Sequence, residues 1–103
     1  VKSKILQRAK EAVLRIEPTA DIILYGSRAR NDFQKESDWD FLVLVDGDVD
    51  YTRTDRIRHQ LHEIEWDTGE ILCAIVRSRS VWKSPEYQGM PLFRNIEKEG
   101  LKI

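Results

Sequence analysis

Apolar residues at Ile5, Leu6, Ala9, Val13 and Ile16 line one side of a helix, with charged residues between them. The spacing predicts a helix over 3–17 with Ser3 as its cap and Pro18 as its stop. The pattern then changes. Asp21-Ile22-Ile23-Leu24-Tyr25 is a nearly continuous apolar run ending on Gly26, and Phe41-Leu42-Val43-Leu44-Val45 is a second, followed by Asp46-Gly47-Asp48. Short apolar runs bounded by turn residues predict strands covered on both faces. Helical spacing returns at Ile57, Leu61 and Ile64, predicting a helix over 55–66 closed by Thr68-Gly69, and the run from Ile71 to Val76 predicts a third buried strand. Beyond Ser84-Pro85 and Met90-Pro91, residues Leu92, Phe93 and Ile96 predict a terminal helix ended by Gly100.

Helices and strands therefore alternate, which implies an α/β (α+β) architecture: a small mixed sheet of about three to four strands covered by helices. The 103 residues fit one domain, 1–103, with one core. Hydrophobic residues at 41% and charged residues at 34% place the chain with folded globular proteins rather than disordered ones. A formal net charge of −1 supplies no long-range field for nucleic acid or an anionic membrane. The single cysteine, Cys73, has no internal disulfide partner, and no long apolar run is present, so the expected setting is the reducing cytoplasm.

The chemistry concentrates in two short segments. Leu24-Tyr25-Gly26-Ser27-Arg28-Ala29-Arg30 sets a glycine where a strand ends and a serine where a helix can begin. Glycine lets the backbone approach an anion closely, the first N–H groups of a helix lack intrahelical acceptors, and a serine hydroxyl adds a donor. Alone, such a dipeptide is usually a plain turn. The second segment is Asp38-Trp39-Asp40, eleven residues beyond Ser27 and opening the second strand. Side chains two apart on a strand share a face, so the two carboxylates project together while Trp39 turns away. A pair of carboxylates suffices for Mg²⁺, which fills its remaining positions with water and phosphate oxygens.

Gly-Ser at a strand end, a polar turn, then Ser37-Asp38-Trp39-Asp40 running into an apolar strand resembles the nucleotidyltransferases of the DNA polymerase beta superfamily, and most of all the bacterial minimal nucleotidyltransferases. The leading helix, the order of elements and the closing Pro91-Leu92-Phe93-Arg94-Asn95-Ile96 through Glu99-Gly100 extend the likeness over nearly the whole chain. The resemblance implies a nucleotidyltransferase fold. It also implies that Gly26 and Ser27 bind a triphosphate and that Asp38 and Asp40 are catalytic and hold Mg²⁺; Arg28 and Arg30 flank that phosphate site, where one could clamp a triphosphate or both could be ordinary solvated arginines. Such proteins move a nucleoside monophosphate from ATP or another nucleoside triphosphate onto an acceptor hydroxyl. They also occur as the antitoxin of a toxin–antitoxin pair with a HEPN-domain partner.

Two positions depart from that pattern. The family supplies a third carboxylate from a later strand, and the matching position here is Cys73; a thiol suits Mg²⁺ poorly. Glu70 has the wrong strand parity to replace it, and Asp67 is about 20 Å of extended chain away, leaving Glu63 and Glu65 on the predicted helix. This opens an alternative, a nucleotide- or partner-binding module whose chemistry has weakened. The second departure is Asn31 in place of a glycine; asparagine tolerates the left-handed backbone a turn needs there.

Other features point to structure. Asp46, Asp48 and Asp50 begin like a calcium loop, but the sixth position is Tyr51 and the twelfth Ile57. His59 and His62 lack a third metal ligand and are expected on an exposed helix face. Trp39, Trp66 and Trp82 lie beside apolar runs and are expected in the core, and Cys73, within an apolar strand, is read as a small buried residue.

Overall fold

A computed structural model describes residues 4–103, so the expected Ser3 cap lies outside the described residues. In chain order the elements are α1 (Lys4–Ile16), β1 (Asp21–Tyr25), α2 (Ser27–Arg30), β2 (Trp39–Val45), α3 (Tyr51–Thr68), β3 (Leu72–Ser78), α4 (Arg79–Trp82), α5 (Pro85–Gln88), α6 (Pro91–Glu99) and β4 (Leu101–Lys102). The four strands form one sheet in the order β3-β2-β1-β4. β1 runs antiparallel to both β2 and β4, while β2 and β3 are parallel and joined through α3.

Strand alternation sorts the side chains into two layers. Ile22 and Leu24 of β1, Phe41, Val43 and Val45 of β2 and Leu72, Ala74 and Val76 of β3 face α1 and α3, where Leu6, Ala9, Val13, Ile57, Leu61 and Ile64 complete the larger core. The opposite face carries Ile23, Leu42, Leu44 and Ile75, which pack with Trp82, Tyr87, Leu92, Phe93 and Ile96 of the short helices. Burial on both faces is why the strands read as apolar runs rather than as alternating ones.

α3 is longer than its apolar spacing predicts, because its start is set by a polar cap. Asp50 accepts a 2.8 Å hydrogen bond from the Arg53 backbone N–H. The Arg53 guanidinium then binds the carbonyls of Asp46 and Asp48 and, through two bonds of 2.7 and 2.8 Å, the carboxylate of Glu17. The acidic run is thus a helix entrance. Four-residue helices and a two-residue strand carry too few positions to show a period, so α4, α5 and β4 were not legible, while α2 was marked only by the Gly26-Ser27 start.

Two packing expectations are corrected. Trp39 and Trp82 are buried, but Trp66, near the end of α3, is 87% exposed. Its flank faces water because Ile57, Leu61 and Ile64 already fill the inward stripe. Cys73 is exposed rather than buried, since it stands on the face of β3 that the short helices leave open at that end.

Candidate functional site

At the end of β1 the backbone of Gly26 adopts φ 79°, ψ −160°, a region essentially restricted to glycine. This turns the chain into α2, where the Ala29 and Arg30 N–H groups both bond to the Gly26 carbonyl at 3.0 Å. Asn31 closes the turn in the left-handed conformation, φ 64°, as expected of asparagine in that place. Gly26 lies against the acidic segment: a methyl group added to it would stand 2.6 Å from Asp40 Oδ2.

Asp40 is paired across the sheet with Tyr25 on one side and Cys73 on the other, so the three side chains form a row on one face. Asp38 precedes β2 by one residue and shares that face; the Cys73 thiol reaches its Oδ2 at 3.9 Å. Burial, and then the charge of Asp38, raise the Asp40 carboxyl above the ordinary aspartate range. The Tyr25 hydroxyl is pushed up to about 12, first by burial and then by Asp40. The Cys73 thiol is raised by burial and by Asp38 and Asp40, so it keeps its proton at neutral pH. This end of the sheet thus holds two carboxylates beside two protonated groups, with Arg30 the cation that acts on Asp40.

The two arginines of the turn are employed differently. Arg28 is buried, its guanidinium between the rings of Phe33 and Trp39 at 4.3 and 4.2 Å from their centroids. It donates to the carbonyls of Lys35 and Ser37 and lies 3.8 Å from Glu70. Its donors are spent on the 31–38 loop rather than held open for a phosphate. Arg30 is outside, bonded to Asp32 at 3.1 Å and to both oxygens of Glu99 at 3.1 and 3.2 Å.

Glu99 was read only as part of the closing segment, with no role at the site. Its carboxylate accepts the Gly26 N–H at 2.7 Å across 73 residues of chain, a separation at which no local spacing carries a signal.

The nucleotidyltransferase domain family matches residues 6–101. This chain belongs to that family.

A solved structure described as "Crystal structure of the toxin-antitoxin with AMP-PNP" is similar to this nucleotidyltransferase domain, at 18% identity and a TM-score of 0.59, covering 91% of this chain and 68% of the other. That likeness is one of fold. A search of the curated proteins finds no match.

Of the carboxylates weighed in place of Cys73, Glu63 stands exposed on α3 and the other three have partners within the nucleotidyltransferase domain. Asp67 pairs with Arg8 of α1 at 2.8 Å, away from β2. Glu65 accepts the Leu72 N–H at 2.9 Å, which ties it to the start of β3. Glu70 faces Arg28. None of the three bonds to Asp38 or Asp40, and among the described residues no three His, Cys, Asp or Glu side chains are grouped as a metal cage. The pair fits a hard cation that needs only one or two protein carboxylates, because Asp38 and Asp40 share one face at the start of β2, where burial and then the Asp38 charge raise Asp40. Also among the described residues, no helix is long and apolar enough to cross a membrane.

Proposed function

We propose that this nucleotidyltransferase domain transfers a nucleoside monophosphate, AMP from ATP, onto an acceptor hydroxyl, with the triphosphate on Gly26-Ser27 and Mg²⁺ on Asp38 and Asp40. The observation carrying this reading is the approach of Gly26 to Asp40, 2.6 Å from an added methyl to the carboxylate. Only glycine allows a phosphate-binding turn and a metal-binding carboxylate to sit so close. Mg²⁺ bound there would neutralise phosphate oxygens and align the reacting ones.

In the reaction the acceptor oxygen attacks the α-phosphorus, a new phosphoester bond forms, the α–β anhydride bond breaks, and pyrophosphate leaves. The chain's part is to hold the nucleotide in line. The Ser27 and Arg28 N–H groups, at the start of α2, lack acceptors one turn earlier and are free to meet phosphate. The acceptor's proton passes to solvent, since the neighbouring Cys73 thiol is already protonated.

The test is transfer of α-labelled ATP with Mg²⁺ into the proteins and RNA of a native lysate. Label is expected with wild type and not with an Asp38→Ala/Asp40→Ala variant that still folds. Full labelling by that variant would remove the metal assignment.

Cys73 favours a second reading, a module that binds nucleotide but transfers slowly for want of a third carboxylate. Its register opposite Asp40 puts a protonated thiol where a carboxylate would serve. Under that reading Cys73→Asp raises the transfer rate; no rise would leave the first reading standing. We extend the proposal to a partner: the chain acts as an antitoxin, a reading supported by the toxin–antitoxin structural neighbour, and the resemblance to minimal nucleotidyltransferases suggests a HEPN-domain toxin. Co-purification with the product of an adjacent gene tests this, and a monomeric chain in its presence would refute it.

A further inference from the structure

We propose that Glu99 is a positioning residue of this site: its carboxylate latches the Gly26 peptide and so sets where Asp40 stands. The inference rests on the proposed role of Gly26 and Asp40 and adds a third group to that site.

Three observations meet at one peptide. The Gly26 N–H donates to Glu99 Oε2 at 2.7 Å, the short end of the range for a hydrogen bond to a charged acceptor. On its other side Gly26 touches Asp40, with 2.6 Å between an added methyl and Oδ2. The Glu99 charge is in turn met by Arg30, whose Nη1 reaches both carboxylate oxygens. A shift of the Gly26 peptide therefore moves into, or away from, the Asp40 carboxylate.

The latch is built in by the backbone rather than by a free side chain. Glu99 is the last residue of α6, and its side chain is only 16% exposed. Gly100 follows, its N–H 2.7 Å from the Ile96 carbonyl, at a place where an added methyl would stand 2.5 Å from that carbonyl oxygen and 2.7 Å from Ile23 Cγ2. The chain then enters β4, which pairs with β1 through Ile23 and Leu24, just before Gly26. The end of α6 is thus pressed against the strand that delivers the turn, and Glu99 has one place to be.

The test compares Glu99→Ala with Glu99→Gln, which keeps an acceptor for the Gly26 N–H. In wild type, amide NMR should show Gly26 slow to exchange. Glu99→Ala should lose that protection and move the Ser27 and Asp40 resonances while the melting transition stays cooperative, and Glu99→Gln should keep Gly26 protected. Binding of α,β-methylene-ATP with Mg²⁺ should weaken about tenfold in Glu99→Ala, as expected for loss of one hydrogen bond to a charged group, and recover to within about threefold of wild type in Glu99→Gln. Rapid exchange of Gly26 in wild type, unmoved Asp40 resonances in a folded Glu99→Ala protein, or tighter nucleotide binding by that variant would each overturn the latch. Absence of nucleotide binding by wild type would remove the proposed function instead, and the exchange data would still decide the role of Glu99.

Discussion

Gly26→Ala isolates the contact on which the functional reading depends. Two costs arise. The first is backbone strain: φ 79° with ψ −160° is glycine territory, and holding alanine there costs about 1–3 kcal/mol. The second is steric, because the new methyl would stand 2.6 Å from Asp40 Oδ2, 3.4 Å from its Cγ and 3.5 Å from its Cβ. Only the carboxylate oxygen is impossibly close, so rotation of Asp40 relieves the clash cheaply in stability and dearly in function. For a domain of this size each kcal/mol lowers the melting temperature by about 4–8 °C, so the variant should melt roughly 5–20 °C lower than wild type. Thermal unfolding of wild type, Gly26→Ala, Asp40→Ala and the double variant separates the costs, since Asp40→Ala removes the clash and leaves the strain. The double variant should therefore retain a deficit of about 1–3 kcal/mol relative to Asp40→Ala alone. Binding of Mg²⁺ and nucleotide by Gly26→Ala should be lost with Asp40 still present. A Gly26→Ala protein with unchanged melting and unchanged binding would refute both the strain and the contact.

Other perturbations test other parts of the site. The Asp40 carboxyl is raised in the folded state, so it binds protons that the unfolded chain has released, and stability falls as pH climbs from the ordinary aspartate range through the folded value. Asp40→Asn should flatten that part of a melting-temperature profile and be the more stable protein at pH 7; equal stability there would deny that burial and the Asp38 charge disfavour the ionised carboxyl. Glu17 has the opposite sign: Arg53 holds its carboxyl below the ordinary range, so its contribution is complete above about the unfolded value and is lost as pH falls through the folded one. Glu17→Gln should remove that loss on acidification, a result to be checked by the same melts. Arg28→Met should cost about 2–4 kcal/mol in chemical denaturation, from two carbonyls left without a charged donor and from the lost contact with Phe33 and Trp39. A loss below about 0.5 kcal/mol would show that the 31–38 loop holds itself.

Much of the fold was legible because its signals are local. Buried strands have to be apolar on both faces, α1 has to keep one stripe apolar, and Gly69 and Asn31 mark left-handed turns that few residues tolerate. The parity of Asp38 and Asp40 followed from strand geometry alone. The burial of Arg28 was not legible, because its neighbours, Phe33 and Trp39, come within reach only when the intervening loop folds over it. Cys73 and Trp66 were misjudged for a related reason: an apolar neighbourhood in sequence does not reveal where the covering helices stop.

By itself the sequence determined the order of the three longer strands and the three longer helices, the glycine turn and the shared face of the carboxylate pair, since each depends on chemistry within a few residues. Tertiary structure alone decided that Gly26 touches Asp40, that Cys73 and Tyr25 stand in register with it, and that Glu99 closes on the turn from the far end of the chain. Those contacts join residues separated by 14 to 73 positions. Their physical origin is the pairing of strands and the packing of α6 against β1, which no residue encodes singly.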